Sequence, residues 1–219
     1  VAARMMDTKF GTWTTPECAF EIDYSLSVID EIRAIVTEGF QRLSRGGIEV
    51  GGILYGTVEG NRIRIEAMRQ IACEHANGPT FKLSGHDQVA LTTQLQEEGE
   101  DFQRQGLAPV GWFVSHTRSE IALQQVDLDA YNTYFPEPWQ VTLVVRPGRA
   151  GSMRAGFFVR EPDGSLKTER SYQDFLFPER QPFVLDRPLR ERGPRAQRAE
   201  QPGTVPEPGN FTPYRIKCR

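Results

Sequence analysis

His116 and Asp127, with ten residues between them, stand in the segment Gly-Trp-Phe-Val-Ser-His-Thr-Arg-Ser-Glu-Ile-Ala-Leu-Gln-Gln-Val-Asp, residues 111–127. An imidazole and a carboxylate can share a proton or hold a metal ion, so this pair is where chemistry is first sought. Residues two apart on a strand point to one face, so Trp112, Val114 and His116 project together. Valine offers no ligand atom, and a catalytic zinc usually keeps three protein ligands and a water. Two readings of the pair stay open: a hydrogen-bonded, metal-free His–Asp pair, and a residual metal site.

Few other side chains could complete such a site. His75 and His86 are the other histidines, the first near a loop and the second near a helix start, and Asp129 is close in sequence. Nothing in their spacing points to His116. Gln124 carries an amide oxygen, a poor zinc ligand. Gly51-Gly52, inside an apolar strand, indicates close backbone packing or the approach of an extended ligand. Cys18, Cys73 and Cys218 show no paired or zinc-finger spacing, which suits idle thiols in a reducing cytoplasm.

Periodicity and turn residues outline the elements that must position these side chains. Apolar residues recur at helical spacing from Val28 to Leu43, with Ser27 as cap and Gly46-Gly47 as stop. Residues 48–55 and 62–68 read as strands of a hairpin turned by Glu59-Gly60-Asn61, and residues 74–85 as loop. A second helix is predicted over 86–105, a strand over 108–115, and a short helix around 127–131. Residues 140–146 and 153–160 are strands, and Asp163-Gly164 turns the chain into a final one. Tyr131, Tyr134, Phe135 and Trp139, interleaved with Pro136 and Pro138, form either core packing or a binding surface. Helices around a mixed, mostly antiparallel sheet make the fold α+β.

Residues 111–127 resemble the JAMM motif of the JAB/MPN metalloprotease family, His-x-His, ten residues, then Asp, framed as Gly-Trp-[Tyr/Phe]-His-[Ser/Thr]-His-Pro…Ser-x-x-Asp. Gly111, Trp112, Ser115, His116 and Asp127 match it. Glu49, in Ile-Glu-Val-Gly-Gly-Ile-Leu-Tyr-Gly, matches the family's upstream glutamate, and the likeness covers roughly residues 15–160. The resemblance implies a JAB/MPN-like (cytidine-deaminase-like) fold, with Glu49 at the general acid/base position and His116 and Asp127 as zinc ligands. Val114 replaces the remaining histidine ligand, Gln124 the serine that helps stabilise the oxyanion, and Thr117 the proline. These departures imply a degenerate zinc-protease site in a non-catalytic interaction or scaffold module, with no cofactor expected and zinc held weakly if at all. The alternative is a zinc-dependent metallopeptidase or deubiquitinase-like isopeptidase with a non-standard ligand set, and a third reading is a dead site reused for a small ligand. The partner implied is a protein or an extended peptide tail in the groove near the site.

Composition bounds the rest. The chain has 219 residues, 38% apolar and 25% charged, with net charge −3, which makes no case for nucleic acid. No apolar stretch is long enough to span a bilayer and no leader is evident, though a chain opening on Val1 leaves an anchor outside it open. Residues 1–178 are expected to form the JAB/MPN-like domain. Residues 179–219, rich in Pro, Arg, Glu and Gly, are expected to form an extended tail, either spacer or docking arm. Oligomeric state is left open.

Overall fold

The computed structural model describes residues 9–44, 46–148 and 151–179. The expected tail over 179–219 and Cys218 therefore lie almost wholly outside the described residues. The elements run β1 (Phe10–Trp13), β2 (Glu21–Ser25), α1 (Leu26–Gln41), β3 (Gly51–Glu59), β4 (Arg62–Ile71), α2 (Gly85–Arg104), β5 (Ala108–Ser115), α3 (Gln125–Tyr134), β6 (Val141–Pro147), β7 (Met153–Val159) and β8 (Asp174–Leu176). They build one mixed eight-stranded sheet in the order β1-β2-β4-β3-β5-β6-β7-β8. The pairs β2–β4 and β5–β6 are parallel and the others antiparallel. The α+β expectation holds at this level.

Side-chain alternation divides the core into two layers. Leu54, Phe113, Leu143 and Val145 face α1, whose Val28, Ile29, Ile32 and Val36 enter the same cluster. Ile53, Tyr55, Trp112, Val114 and Val144 face the other way, with Leu91 and Phe102 of α2 and Tyr131 of α3. Each such side chain, fully buried, contributes roughly 1.5–3 kcal/mol over its exposed state. The α1 layer is wrapped by the sheet's curl. The Trp13 indole nitrogen donates to the Gln173 carbonyl (2.9 Å), and Tyr24 stacks on Phe175 (5.5 Å), so strands from opposite ends of the sheet meet.

Several boundaries differ from expectation for local reasons. Ser25, not Ser27, is the N-cap of α1, and the two hydroxyls bond to each other. The apolar periodicity outruns the buried face: Phe40 in the last turn is 36% exposed, and Leu43, past the end of the helix, is 49% exposed. Residues 48–50 do not join the ladder, because the Glu49 N–H bonds the Pro79 carbonyl and the Val50 N–H bonds the Ser115 hydroxyl. The strands β1 and β2 were not expected at all. Asp163-Gly164 does turn, but it yields only the isolated bridge Arg160–Leu166, and the last strand comes later at Asp174–Leu176.

The connection β5–α3–β6 is a parallel crossover that sets the start of α3 at the end of β5. Gly111 makes that pairing work. Its φ of +146° is open to glycine, and a Cβ there would sit 1.9 Å from the Val141 carbonyl oxygen. Gly111→Ala is expected to destabilise the fold by about 3 kcal/mol or more, from backbone strain and overpacking together. Urea denaturation checks this, and a loss below about 1 kcal/mol would contradict so close a contact between the strands.

Candidate functional site

Glu49 sits on the segment entering β3 and is 3% exposed. A buried carboxylate needs hydrogen-bond donors, and this one finds two on the backbone. Oε1 accepts from the Thr117 N–H and Oε2 from the Phe81 N–H, both at 3.2 Å. The Glu49 N–H in turn donates to the Pro79 carbonyl at 2.8 Å. Ser115 closes the other side: its N–H reaches the Val50 carbonyl and its hydroxyl accepts from the Val50 N–H, both at 2.8 Å. Glu49 is thus bound by the loop before α2 and by the loop after β5.

His116 and Asp127 are 1% and 2% exposed and bond each other, with Nε2 3.1 Å from Asp127 Oδ2. The other ring nitrogen, Nδ1, lies 3.1 Å from the Glu120 carbonyl oxygen. Both ring nitrogens therefore face acceptors, an arrangement that the doubly protonated imidazolium satisfies. Burial alone pushes the His116 pKa down, but the hydrogen bond and charge of Asp127 outweigh it. The Glu120 carbonyl and the Glu49 charge add to that effect and hold the pKa above its ordinary 6.5. Asp127 has a second task, because Oδ2 accepts the Gln124 N–H at 2.7 Å. That contact caps α3, which is why the helix begins at Gln125, ahead of Asp127.

The remaining positions singled out by the sequence are spread over several elements. Val114 is fully buried on the same face as Trp112, between Gly51 of β3 and Val144 of β6. Gln124 is the N-cap residue, and its amide nitrogen bonds the Ser119 hydroxyl. His86 bonds Glu74 at 2.9 Å, and Asp129 accepts from Gln125 on α3. Tyr131 and Phe135 are fully buried, with Phe135 stacked on Trp112 at 6.1 Å, so that part of the aromatic cluster is core. Cys18 and Cys73 are free thiols, their pKa values raised by burial.

This donor set does not fit a catalytic zinc. His116 and Asp127 supply two ligand atoms, Val114 supplies none, and Glu49 is held by backbone donors. Among the described residues, the His/Cys/Asp/Glu groups close enough to share a metal are instead Glu74, His86 and Asp87. Asp87 there accepts the N–H groups of Glu74 and Ser84 at the start of α2, where the helix dipole favours anions over cations.

Sequence reasoning did not find Phe81 and Pro79. Gly51-Gly52 was the available signal. A Cβ on Gly51 would lie 2.8 Å from the Phe81 ring, so the close approach inferred there is by the chain's own Phe81.

No protein-family model matches the chain. No curated protein matches it either. Solved structures similar to it include a solution structure of a Salinibacter ruber protein, 20% identical over 68% of this chain and 88% of that one, with TM-score 0.43. A Desulfitobacterium hafniense protein, also solved in solution, is 19% identical over 68% of this chain and 89% of that one, with TM-score 0.46.

The raised His116 pKa has a defined consequence for stability. A histidine whose folded pKa exceeds the unfolded one stabilises fully below 6.5, and that contribution is lost as pH rises through the folded value. With chelator present, the wild-type Tm is expected to fall with rising pH above 6.5 more steeply than that of Asp127→Asn. Asp127→Ala strands a buried partner and is expected to cost about 3–5 kcal/mol by chemical denaturation. Parallel pH profiles for wild type and Asp127→Asn would refute the assignment of the proton to this pair.

Proposed function

We propose that this chain is a non-catalytic JAB/MPN-fold protein that acts as an interaction or scaffold module around a degenerate zinc-protease site. The observation that carries the reading is the state of Glu49. A glutamate at the family's general-base position must be free to take a proton from metal-bound water. Here both carboxylate oxygens accept backbone N–H groups, and one donor is Thr117, at the position where the motif has proline. Proline has no N–H to donate, so the change at 117 itself supplies a bond that holds the carboxylate.

Two further observations support it. Val114, in place of a ligand histidine, is packed into the apolar layer with Trp112 and Tyr131. Gln124, in place of the oxyanion serine, is turned to Ser119. A partner, in this reading, is a protein or extended peptide docking near Glu49 and α3. No helix among the described residues is long and apolar enough to cross a membrane.

Metal analysis of protein purified without added zinc, followed by reloading and calorimetric titration, is the deciding experiment. Substoichiometric, weak zinc is expected for the wild type. Val114→His combined with Gln124→Ser should raise zinc affinity at least ~10-fold, since even groups outside the ligand set tune affinity by ~10–100-fold. Stoichiometric, tight zinc lost in both His116→Ala and Asp127→Ala would favour the metallopeptidase alternative instead.

A further inference from the structure

The apolar stripe of α1 outlasts the sheet that covers it. Val28, Ile29, Ile32 and Val36 are buried, but Phe40, one turn further on, stays exposed. Beside it lies a groove of about 660 Å³, lined on one side by α1 and on the other by the end of the β6–β7 hairpin. Its apolar lining is Phe40, Pro147, Met153 and Leu176, and Leu176 is 66% exposed. A second recess of about 520 Å³ shares Thr37 and Gln41 with the first and runs on beside Arg33 and Ala34, a turn back along α1. Together they make an elongated apolar trough, a shape for an extended chain rather than a compact small molecule.

The charges around the larger groove are of one sign. Among the described residues lining it, the ionic side chains are Arg146 and Arg154, and no carboxylate joins them. Strand register sets these two directly opposite each other across β6 and β7, where like charges repel. Each has one acid beyond the groove: Arg146 bonds Glu120 at 2.8 Å, and Arg154 bonds Asp174 at 2.7 Å. Both pairs reach the surface, where water and salt weaken such bonds. A guanidinium also carries five N–H donors, more than one carboxylate takes up. The hairpin end can therefore take a further anion.

We propose that this groove is a docking surface for an extended acidic–apolar peptide of a partner protein, with a carboxylate clamped between Arg146 and Arg154 and the adjacent apolar side chain laid over Phe40 and Leu176. The carboxylate relieves the repulsion across the hairpin through charge-assisted bonds. The apolar side chain completes the burial of the α1 stripe. Glu38 and Glu179 line the smaller recess and repel acids there, so the acidic end of the peptide lies at the hairpin. This surface lies beside α1, goes beyond the docking proposed near Glu49 and α3, and holds whether or not zinc binds.

Fluorescence anisotropy on the full chain tests it, with a fluorescein-labelled peptide of alternating Leu and Glu as probe. Binding is expected, and at least ~10-fold weaker binding when Gln or Lys replaces Glu in the peptide. Arg146→Gln, Arg154→Gln and Phe40→Ala should each weaken the Leu–Glu peptide at least ~10-fold while the Tm stays close to that of the wild type. Raising salt from about 0.1 M to about 1 M, which shortens the Debye length to about 3 Å, should weaken it too. In an NMR titration the Phe40, Met153 and Leu176 amides should shift, and those of Phe81, Gln88 and Asp129 should not. The proposal is overturned if the Leu–Glu peptide does not bind, if its Gln counterpart binds equally, if the arginine substitutions leave affinity unchanged, or if the shifts map to α3. Failure here leaves the degenerate-site reading standing, and tight zinc at His116 leaves this groove standing.

Discussion

A single buried carboxylate holds three segments of this protein in register. Glu49 stands where the chain enters β3, and its oxygens accept one N–H from the loop before α2 and one from the loop after β5. A charged group out of water requires such donors, so the three segments are drawn to it together. The entry to β3 is irregular as well: Ile48, Glu49 and Val50 give their N–H groups to Gly39, Pro79 and Ser115 rather than to β4. Remove the carboxylate and the loops lose their common anchor, while the sheet on either side keeps its ladders.

The His116–Asp127 pair has a comparable double role. It is a buried pair, ionic only while His116 is protonated, and losing either partner leaves the other stranded out of water. By accepting the Gln124 N–H, Asp127 also fixes where α3 begins. An acid and a base whose types suggest catalysis thus serve as a joint between a strand end and a helix start.

Periodicity decided how much of the fold and the site was legible in the sequence. The faces of β5 were readable because Trp112 and Val114 alternate with Phe113 in a strand buried on both sides, and the His116–Asp127 spacing stood out by residue type. The short β1 and β2 were not readable. Phe10–Trp13 and Glu21–Ser25 mix polar and apolar residues, and their strand identity comes from pairing across the curled sheet. The partners of Glu49 were hidden for another reason: backbone N–H groups are the same in every residue but proline, so Phe81 and Thr117 carry no type signature as donors. Leu43 shows the opposite error, a helical pattern continuing beyond Gln41 where the helix has ended, and Phe40, still in the helix, is exposed in spite of its place in the pattern.

The curl of the sheet bears on what happens at its two outer edges. An open sheet leaves two strand edges ready to pair with another chain, a standing route to aggregation. Here the indole of Trp13 reaches the carbonyl of Gln173, and Tyr24 and Phe175 stack, so the opposite ends of the sheet are fastened side chain to backbone and ring to ring. The apolar lining of the concave face is enclosed along with α1. A chain clipped within β1 would keep the Tyr24–Phe175 stack but lose the Trp13 contacts with Phe157 and Gln173, and would bare the β2 edge for pairing with another strand.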